Sequence, residues 1–287
     1  MRTNGEVMEY KAHLLETTRP SNLTDKKILE EIQLVLKGGM DHDISDRVYQ
    51  DFKDEMEEYV FNSKLNNFSG HKNFYRKDII VGCTQFIDNL YMQGDIQAFA
   101  DDYRYHTRLD NKNLIKDYKD LKYDTPLILS LPYPRLGDQR LDMQEILDEA
   151  LNRNIPVHID GAWITCSKDI NFDFDHPAIY SFGISLSKGL GLGWNRVGVR
   201  WHRYEHVKDS ISIMNDFRMN LRAVVKIGLH FIRKFPTDYL WNTHSNRYKK
   251  VCRDFNLIET NSIHIAMLND DPVGVSKLIN YLEEHEG

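Results

Sequence analysis

Cysteine is scarce in this sequence, and its spacing fits neither a metal site nor a redox pair. The 287 residues contain three cysteines, Cys83, Cys166 and Cys252, and no two of them form a C-x-x-C motif. Zinc sites and dithiol redox centres need such close spacing, and disulfide frameworks use an even number of cysteines. We therefore expect no metal site, and a cytoplasmic protein in a reducing environment.

Long apolar runs and an excess of positive charge are also missing. No stretch approaches the roughly 18 apolar residues that a membrane span requires, and the first residues lack the apolar core of a secretion signal. Lys and Arg number 37 against 43 Asp and Glu, so the net charge is −6 and no overall positive field attracts nucleic acid or anionic lipid. The sequence thus predicts neither nucleic acid nor membrane as a partner.

Short apolar runs alternate with helical patterns through most of the chain. Turn and cap signals divide the two kinds of segment, which is typical of an α/β protein with a mostly parallel sheet and helices on both faces. The strands are predicted at 78–82, 126–131, 155–159, 178–183, 196–201 and 262–268, and the helices at 22–37, 86–91, 141–153, 204–234 and 273–284.

The order of these segments predicts three parts. An N-terminal helical segment covers 1–50, a large α/β domain 51–235, and a smaller C-terminal α/β domain 236–287, with Pro236 as the clearest break. A chain of 287 residues is long enough for about two such domains.

Polar residues follow three of the predicted strands. In open α/β sheets ligands bind beyond the carboxyl ends of the strands, so the tracts at 82–85, 160–163 and 185–196 are candidate site segments. Taken singly, each has an ordinary explanation as a turn, a cap or a solvated charge. The glycine-rich tract at 189–196 has neither the G-x-G-x-x-G spacing of a dinucleotide fold nor a phosphate-loop motif.

The combination of Asp160, Lys188 and Arg196 indicates a function more specifically than any one of these tracts does alone. Lys188 follows Asp160 by 28 residues, and Arg196 follows Lys188 by eight. This spacing resembles the fold type I pyridoxal phosphate enzymes, particularly the class I/II aminotransferases. The resemblance covers 51–201 well, the following segment loosely and the first fifty residues hardly at all.

The resemblance implies how two of these residues handle the cofactor, pyridoxal 5'-phosphate. Lys188 would supply the amine that holds the cofactor's aldehyde as a Schiff base, the Lys188 aldimine, and would later transfer protons. Asp160 would keep the pyridine nitrogen protonated, so that the ring absorbs the electrons released at the substrate carbon.

The resemblance also assigns cofactor-binding roles to other residues. The phosphate would be bound by Ser185 and Arg196 and by backbone N–H groups that follow Gly82 in the sequence, those of Cys83 and Thr84. The Ser187 hydroxyl is a further candidate donor to the phosphate, and an ordinary role in stabilising a turn is an equal alternative.

Two further assignments fall on the segment 101–106. Tyr103 would stack on the pyridine ring, and His106 would orient Asp160. Taken alone, His106 is more often a structural histidine.

The sequence departs from the family pattern in three places. Trp163 stands where the family has a tyrosine that donates a hydrogen bond to the cofactor's phenolic oxygen. Tyr133 lies at or beside the position of an asparagine that contacts the same oxygen. No arginine follows Arg253, so the late arginine that clamps a substrate carboxylate is missing. Either Arg104, Arg135 or Arg140 replaces it, or the substrate is not a standard α-amino acid.

The function implied is that of an aminotransferase, which moves an amino group from an amine or amino acid to a carbonyl acceptor. The same scaffold also supports lyases, decarboxylases and synthases, and the missing arginine and Trp163 favour that alternative. Two other interpretations are a non-catalytic relic that binds the cofactor, and a chance arrangement of these residues in a protein that binds another ligand. The family implies a homodimer. Asp41 and His42 are candidates to contribute to its shared site, with an ordinary solvated loop as the alternative.

Overall fold

A computed structural model describes residues 12–15, 20–38, 45–110 and 112–285 of the chain. Asp41 and His42 lie outside these residues. In chain order the strands are β1 Asn67–Ser69, β2 Arg76–Ile80, β3 Gln97–Phe99, β4 Leu114–Ile115, β5 Leu127–Ser130, β6 Val157–Asp160, β7 Asn171–Asp173, β8 Ile179–Ser185, β9 Gly198–His202, β10 Ile258–Glu259, β11 Ile265–Leu268 and β12 Asp271–Gly274.

Two helices of the described residues precede β1, and the others lie between or after the strands. They are α1 Lys26–Gly38, α2 Arg47–Phe61, α3 Gly82–Gln93, α4 Arg104–Leu109, α5 Met143–Asn152, α6 Leu186–Gly189, α7 Ser210–Asp216, α8 Arg222–Lys234, α9 Tyr239–Asp254 and α10 Ser276–His285. None of these helices is long and apolar enough to cross a membrane.

Seven strands form the central sheet, in the order β2-β9-β8-β6-β5-β3-β4. The pairs from β8 to β4 are parallel, whereas β9 runs antiparallel to both β2 and β8. β5 and β6 are buried along their whole length, as expected for parallel strands covered on both faces. The predicted α/β class with a mostly parallel sheet is confirmed.

The antiparallel strand β9 explains where the glycine-rich tract lies. β8 ends at Ser185 and β9 begins at Gly198, and the two strands run in opposite directions. The connection 186–197 therefore stays at the carboxyl edge of β8, the edge at which Asp160 ends β6.

The sequence patterns missed two long helices. α2 lies within the polar stretch 41–77, where its many charges mask the buried residues Phe52 and Met56, which pack in the main core. α9 follows Pro236 and likewise shows a strongly polar sequence around buried Trp241 and Tyr248. Propensity and periodicity are weak signals when charged residues crowd a helix, because tertiary packing then decides its stability.

Two other predicted boundaries differ from the structure. The pattern at 204–234 is interrupted, and contains the separate helices α7 and α8. Val273 lies in β12 and not in the last helix, which begins at Ser276. β12 pairs with β11, and β11 with β10, in a three-stranded antiparallel sheet near the C-terminus.

The N-terminal segment packs on the C-terminal part of the chain. Asp25 caps α1 by accepting a hydrogen bond from the Ile28 amide, 2.8 Å away, and also hydrogen-bonds to His244 of α9 at 2.8 Å. The Leu23 amide donates to Nδ1 of His264, just before β11. The division into domains at 50 and 235 stays a prediction.

Candidate active site at the carboxyl edge of the sheet

Three central strands end side by side in polar residues. Ser130 ends β5 and lies opposite Asp160, which ends β6. Ser185 ends β8, the next strand along the sheet. All three side chains are buried, because helices cover both faces of these strands.

An arginine and a helix N-terminus meet beside these strand ends. Gly82 begins the 12-residue helix α3 with a φ of 72°, a left-handed conformation that glycine adopts without strain. The Arg196 guanidinium lies against it, so that a Cβ at Gly82 would be 2.9 Å from Nε of Arg196. Nη2 of Arg196 also donates to the Thr84 hydroxyl at 2.6 Å.

This arrangement suits an anion. The first amides of a helix have no intrahelical acceptor and carry the positive end of the helix dipole. The fixed guanidinium adds a full positive charge with several N–H donors. Together the start of α3, the Thr84 hydroxyl and Arg196 supply the kind of donors that bind a phosphate group.

Asp160 lies in a buried and strongly perturbed environment. It is 4% exposed, and its Oδ1 accepts a hydrogen bond from the Ala162 amide at 3.1 Å. Burial and the negative charge of Asp102 raise the pKa of Asp160 to about 6, while a hydrogen bond from the Cys83 thiol and the charge of Lys188 act in the opposite direction. A raised pKa of this kind is common at functional sites.

Lys188 is close enough to Asp160 for their charges to interact. It is half-buried on α6, one turn after Ser185. Its charge acts against the burial that raises the pKa of the Cys166 thiol to about 12. The same charge adds to the burial that lowers the pKa of His264 to about 3. Lys188 therefore lies among Asp160, Cys166 and His264.

The thiol of Cys83 is a buried member of the same group. Burial and the charge of Asp160 raise its pKa well above the ordinary value, so the thiol stays protonated at neutral pH. Cys83 thus supplies a neutral hydrogen-bond donor to the site, and it is not set up as a nucleophile.

His106 and Tyr103 lie beyond the end of β3. Tyr103 is partly exposed and its ring lies edge-on to His106, 6.1 Å between centroids. His106 is fully buried, and its Nδ1 hydrogen-bonds to the Tyr91 hydroxyl at 3.3 Å. Within the described chain no hydrogen bond joins His106 to Asp160. Its expected role in orienting Asp160 therefore stays a prediction.

Asp102 is a site residue that the sequence did not single out. Its Oδ2 accepts from the Ser130 amide at 3.0 Å, and its Oδ1 from the Tyr103 amide at 2.6 Å. The carboxylate is thereby fixed near Asp160, whose pKa it raises. In the sequence, only its position next to Tyr103 could have pointed to Asp102, because an aspartate in a polar segment has no distinctive pattern.

Ser187, which precedes Lys188, and Trp163 both contact distant segments of the chain. The Ser187 carbonyl accepts from Nδ2 of Asn22 at 2.9 Å, whereas its buried hydroxyl has no partner among the described residues. Trp163 is half-buried, with its ring edge-on to His264 at 6.0 Å. Asn22 and His264 thus border the site, and no local sequence signal pointed to either.

Tyr133 and Arg140 stack on each other beyond the end of β5. The Arg140 guanidinium stacks on the rings of Phe99 and Tyr133, with centroids 4.1 Å and 4.7 Å away. It also donates two hydrogen bonds to Asp142, of 2.9 Å and 3.0 Å. Burial, and then Asp101, raise the pKa of the Tyr133 hydroxyl. Arg140 is thus already engaged with a carboxylate.

The other two arginine candidates differ from Arg140. Arg104 and Arg135 are exposed. The structure therefore does not assign the binding of a substrate carboxylate to one of these three arginines.

Comparison with proteins of known structure identifies the fold. The aspartate aminotransferase of Thermotoga maritima superposes with a TM-score of 0.59 at 14% identity, over 100% of this chain and 87% of that one. For the alanine aminotransferase of Pyrococcus furiosus the TM-score is 0.60 at 13% identity, over 84% and 72%. For the PLP-bound C-S lyase of Staphylococcus hominis it is 0.56 at 13% identity, over 91% and 76%.

These similarities show that the chain has the class I/II aminotransferase-like fold. No protein-family model matches the sequence, and no curated protein matches it. At identities this low, the resemblance of the structures concerns the fold.

Proposed function

We propose that this protein is a pyridoxal phosphate-dependent aminotransferase that moves an amino group from an amine or amino acid to a carbonyl acceptor. One observation carries the proposal. The N-terminus of α3, with Arg196 beside it, lies at the same sheet edge as the interacting pair Asp160 and Lys188. Pyridoxal phosphate needs a phosphate site, an amine and a carboxylate in one place.

The residues present fit the cofactor. Arg196, the Thr84 hydroxyl and the first amides of α3 would bind the phosphate, with the buried Ser185 at the neighbouring strand end. The Ser187 hydroxyl is buried without a partner and could serve as a further donor. When bound, the cofactor supplies an aldehyde that reacts with amines and a ring that withdraws electrons.

The chain's own residues would do the rest of the work. Lys188 would hold the aldehyde through its Nζ and, once released by the incoming amine, would move a proton between substrate and cofactor carbons. Asp160 would keep its negative charge against the ring nitrogen. Its burial keeps water from weakening that interaction.

A lyase is the second candidate. The structurally similar C-S lyase of Staphylococcus hominis shares the fold, and Arg140, one candidate for holding a substrate carboxylate, is already hydrogen-bonded to Asp142. The homodimer expected from the resemblance stays a prediction.

A substrate panel distinguishes these reactions. We expect the visible absorbance of the cofactor-loaded protein to change with an amine donor, and to be restored by a carbonyl acceptor with formation of its amine. Mass spectrometry of the products is the measurement. Acceptor-independent release of carbon dioxide or a thiol would support lyase or decarboxylase chemistry, and absorbance that no amine changes would contradict both.

The Gly82→Ala substitution tests the phosphate site. A Cβ there would push the Arg196 guanidinium away and would strain a backbone at φ 72°, so we expect pyridoxal phosphate affinity to fall at least about tenfold. The measurement is an absorbance titration with the cofactor. Gly38→Ala is the control, because a Cβ at Gly38 meets nothing within 4 Å. Equal affinities of the two variants would remove Gly82 from the site.

A further inference from the structure

A polar cavity of about 140 Å³ lies apart from the candidate active site. It opens between α2 and the turn that joins α7 to α8, and none of the proposed cofactor-binding residues lines it. Its lining consists of Asp46, Tyr49, Gln50, Lys53, Asn215, Arg218 and Asn220.

Asn220 provides an unsatisfied polar group in this lining. The residue is 7% exposed, and neither its Nδ2 nor its Oδ1 has a hydrogen-bond partner among the described residues. Its backbone carbonyl is fixed by the Tyr49 hydroxyl at 2.8 Å. A buried carboxamide without partners is unfavourable, and each such group in a folded protein calls for an explanation.

Lys53 provides an unpaired positive charge in the same cavity. It is half-buried, and no hydrogen bond or ion pair joins its ammonium to any residue the structure describes. Burial lowers the pKa of Lys53, while the negative charges of Asp78 and Asp54 act in the opposite direction.

The remaining charges of the lining leave the cavity positive. Arg218 and Asp46 form an ion pair between the turn and the start of α2, so their charges offset each other. Lys53 then gives the lining residues a net charge of about +1, a balance that favours an anion.

The wall on the α7 side is held in place by hydrogen bonds. The Asn215 side chain bonds both the amide and the carbonyl of Ile79 in β2, at 2.7 Å and 2.9 Å. This wall of the cavity is therefore preformed.

We propose that this cavity binds a small oxyanion that also carries a hydroxyl group, such as hydrogenphosphate or a short hydroxycarboxylate. Its oxygens would accept from the Lys53 ammonium and from Nδ2 of Asn220. Its hydroxyl would donate to Oδ1 of Asn220, an acceptor that a fully deprotonated anion such as sulfate leaves unsatisfied. The proposal does not depend on the function proposed above.

Calorimetric titration of the cofactor-free protein with inorganic phosphate tests the proposal. Because phosphate can also occupy the Arg196 site, Arg196→Leu serves as the background for every variant. In this background we expect Lys53→Met to weaken phosphate binding at least tenfold, and Asn220→Asp to weaken it further by charge repulsion. Lys208→Met, at an exposed lysine, is the control and should bind as the background does.

Two further measurements complete the test. At equal ionic strength, sulfate should bind at least tenfold more weakly than phosphate, and lactate more tightly than acetate. A crystal structure grown with phosphate should show the ion between Lys53 and Asn220, which tests the site even if a variant fails to fold. Unchanged affinity in folded Lys53→Met protein, equal binding of sulfate and phosphate, or water alone at the site would overturn the proposal.

Discussion

Lys188→Ala is expected to abolish the covalent attachment of pyridoxal phosphate to the protein. Wild-type protein incubated with the cofactor should absorb visible light, lose that absorbance on treatment with borohydride, and then carry the cofactor's mass on the peptide that contains Lys188. The variant lacks the amine and should show neither the bleaching nor the added mass. Turnover should fall by a factor of about 10³ or more, since the variant loses both the nucleophile and the proton carrier.

A nearby lysine provides the control for this substitution. Lys168 is partly buried, with its ammonium 4.9 Å from the Trp241 ring, and no proposed step uses it. Lys168→Ala should retain the absorbance and the labelled peptide. If borohydride attached the cofactor equally to Lys188→Ala protein, or if wild-type protein stayed colourless, the assignment of the cofactor would be wrong.

Asp160→Asn is expected to separate cofactor binding from catalysis. The amide keeps the size of the side chain but cannot hold a positive charge on the ring nitrogen, so turnover should fall about 10²- to 10³-fold. Covalent attachment at Lys188 should persist. Measurements of kcat and of the borohydride-labelled peptide on the same preparation give both results, and undiminished turnover would contradict the role of Asp160.

The pH dependence of cofactor affinity provides a second signature of Asp160. Because burial and Asp102 raise its pKa to about 6, the wild-type side chain becomes neutral as the pH falls through that value. Cofactor affinity should therefore decrease below about pH 6 in wild-type protein. The free cofactor titrates identically in both experiments, so the difference between wild type and Asp160→Asn reports the carboxylate together with the ring proton that it holds.

The same pKa predicts the effect of Asp160 on stability. A folded-state pKa near 6 lies above the value of about 3.8 in the unfolded chain, so the folded protein binds more protons between these values and loses stability as the pH rises. At pH 7.5 cofactor-free Asp160→Asn should be more stable than wild type, by up to about 3 kcal/mol. At pH 4 the difference should shrink.

Asp142→Asn is the matched control for this stability effect. The hydrogen bond from Arg140 holds the pKa of Asp142 below its ordinary value, so its ionised form stabilises the fold at neutral pH. That variant should lose stability at pH 7.5, the opposite sign to Asp160→Asn. Urea unfolding at the two pH values measures both, and a shared sign would show that the amide substitution acts through something other than charge.

The sequence located the residues that lie directly beside a strand. Asp160 and Ser185 are the last residues of β6 and β8, and Lys188 follows on the next turn. Apolar runs mark such strands because both faces of a parallel sheet are buried. The residue after the run is then placed at the sheet edge by chain connectivity alone.

Partners far apart in the chain were decided by the tertiary structure. Arg196 meets Thr84 across 112 residues, and His106 turned out to contact Tyr91. The pairing of Lys53 with Asn220 in one cavity depends on the packing of α2, a helix that the sequence pattern did not reveal. Local periodicity reports which face of an element is buried, but it contains no information about which other element covers that face.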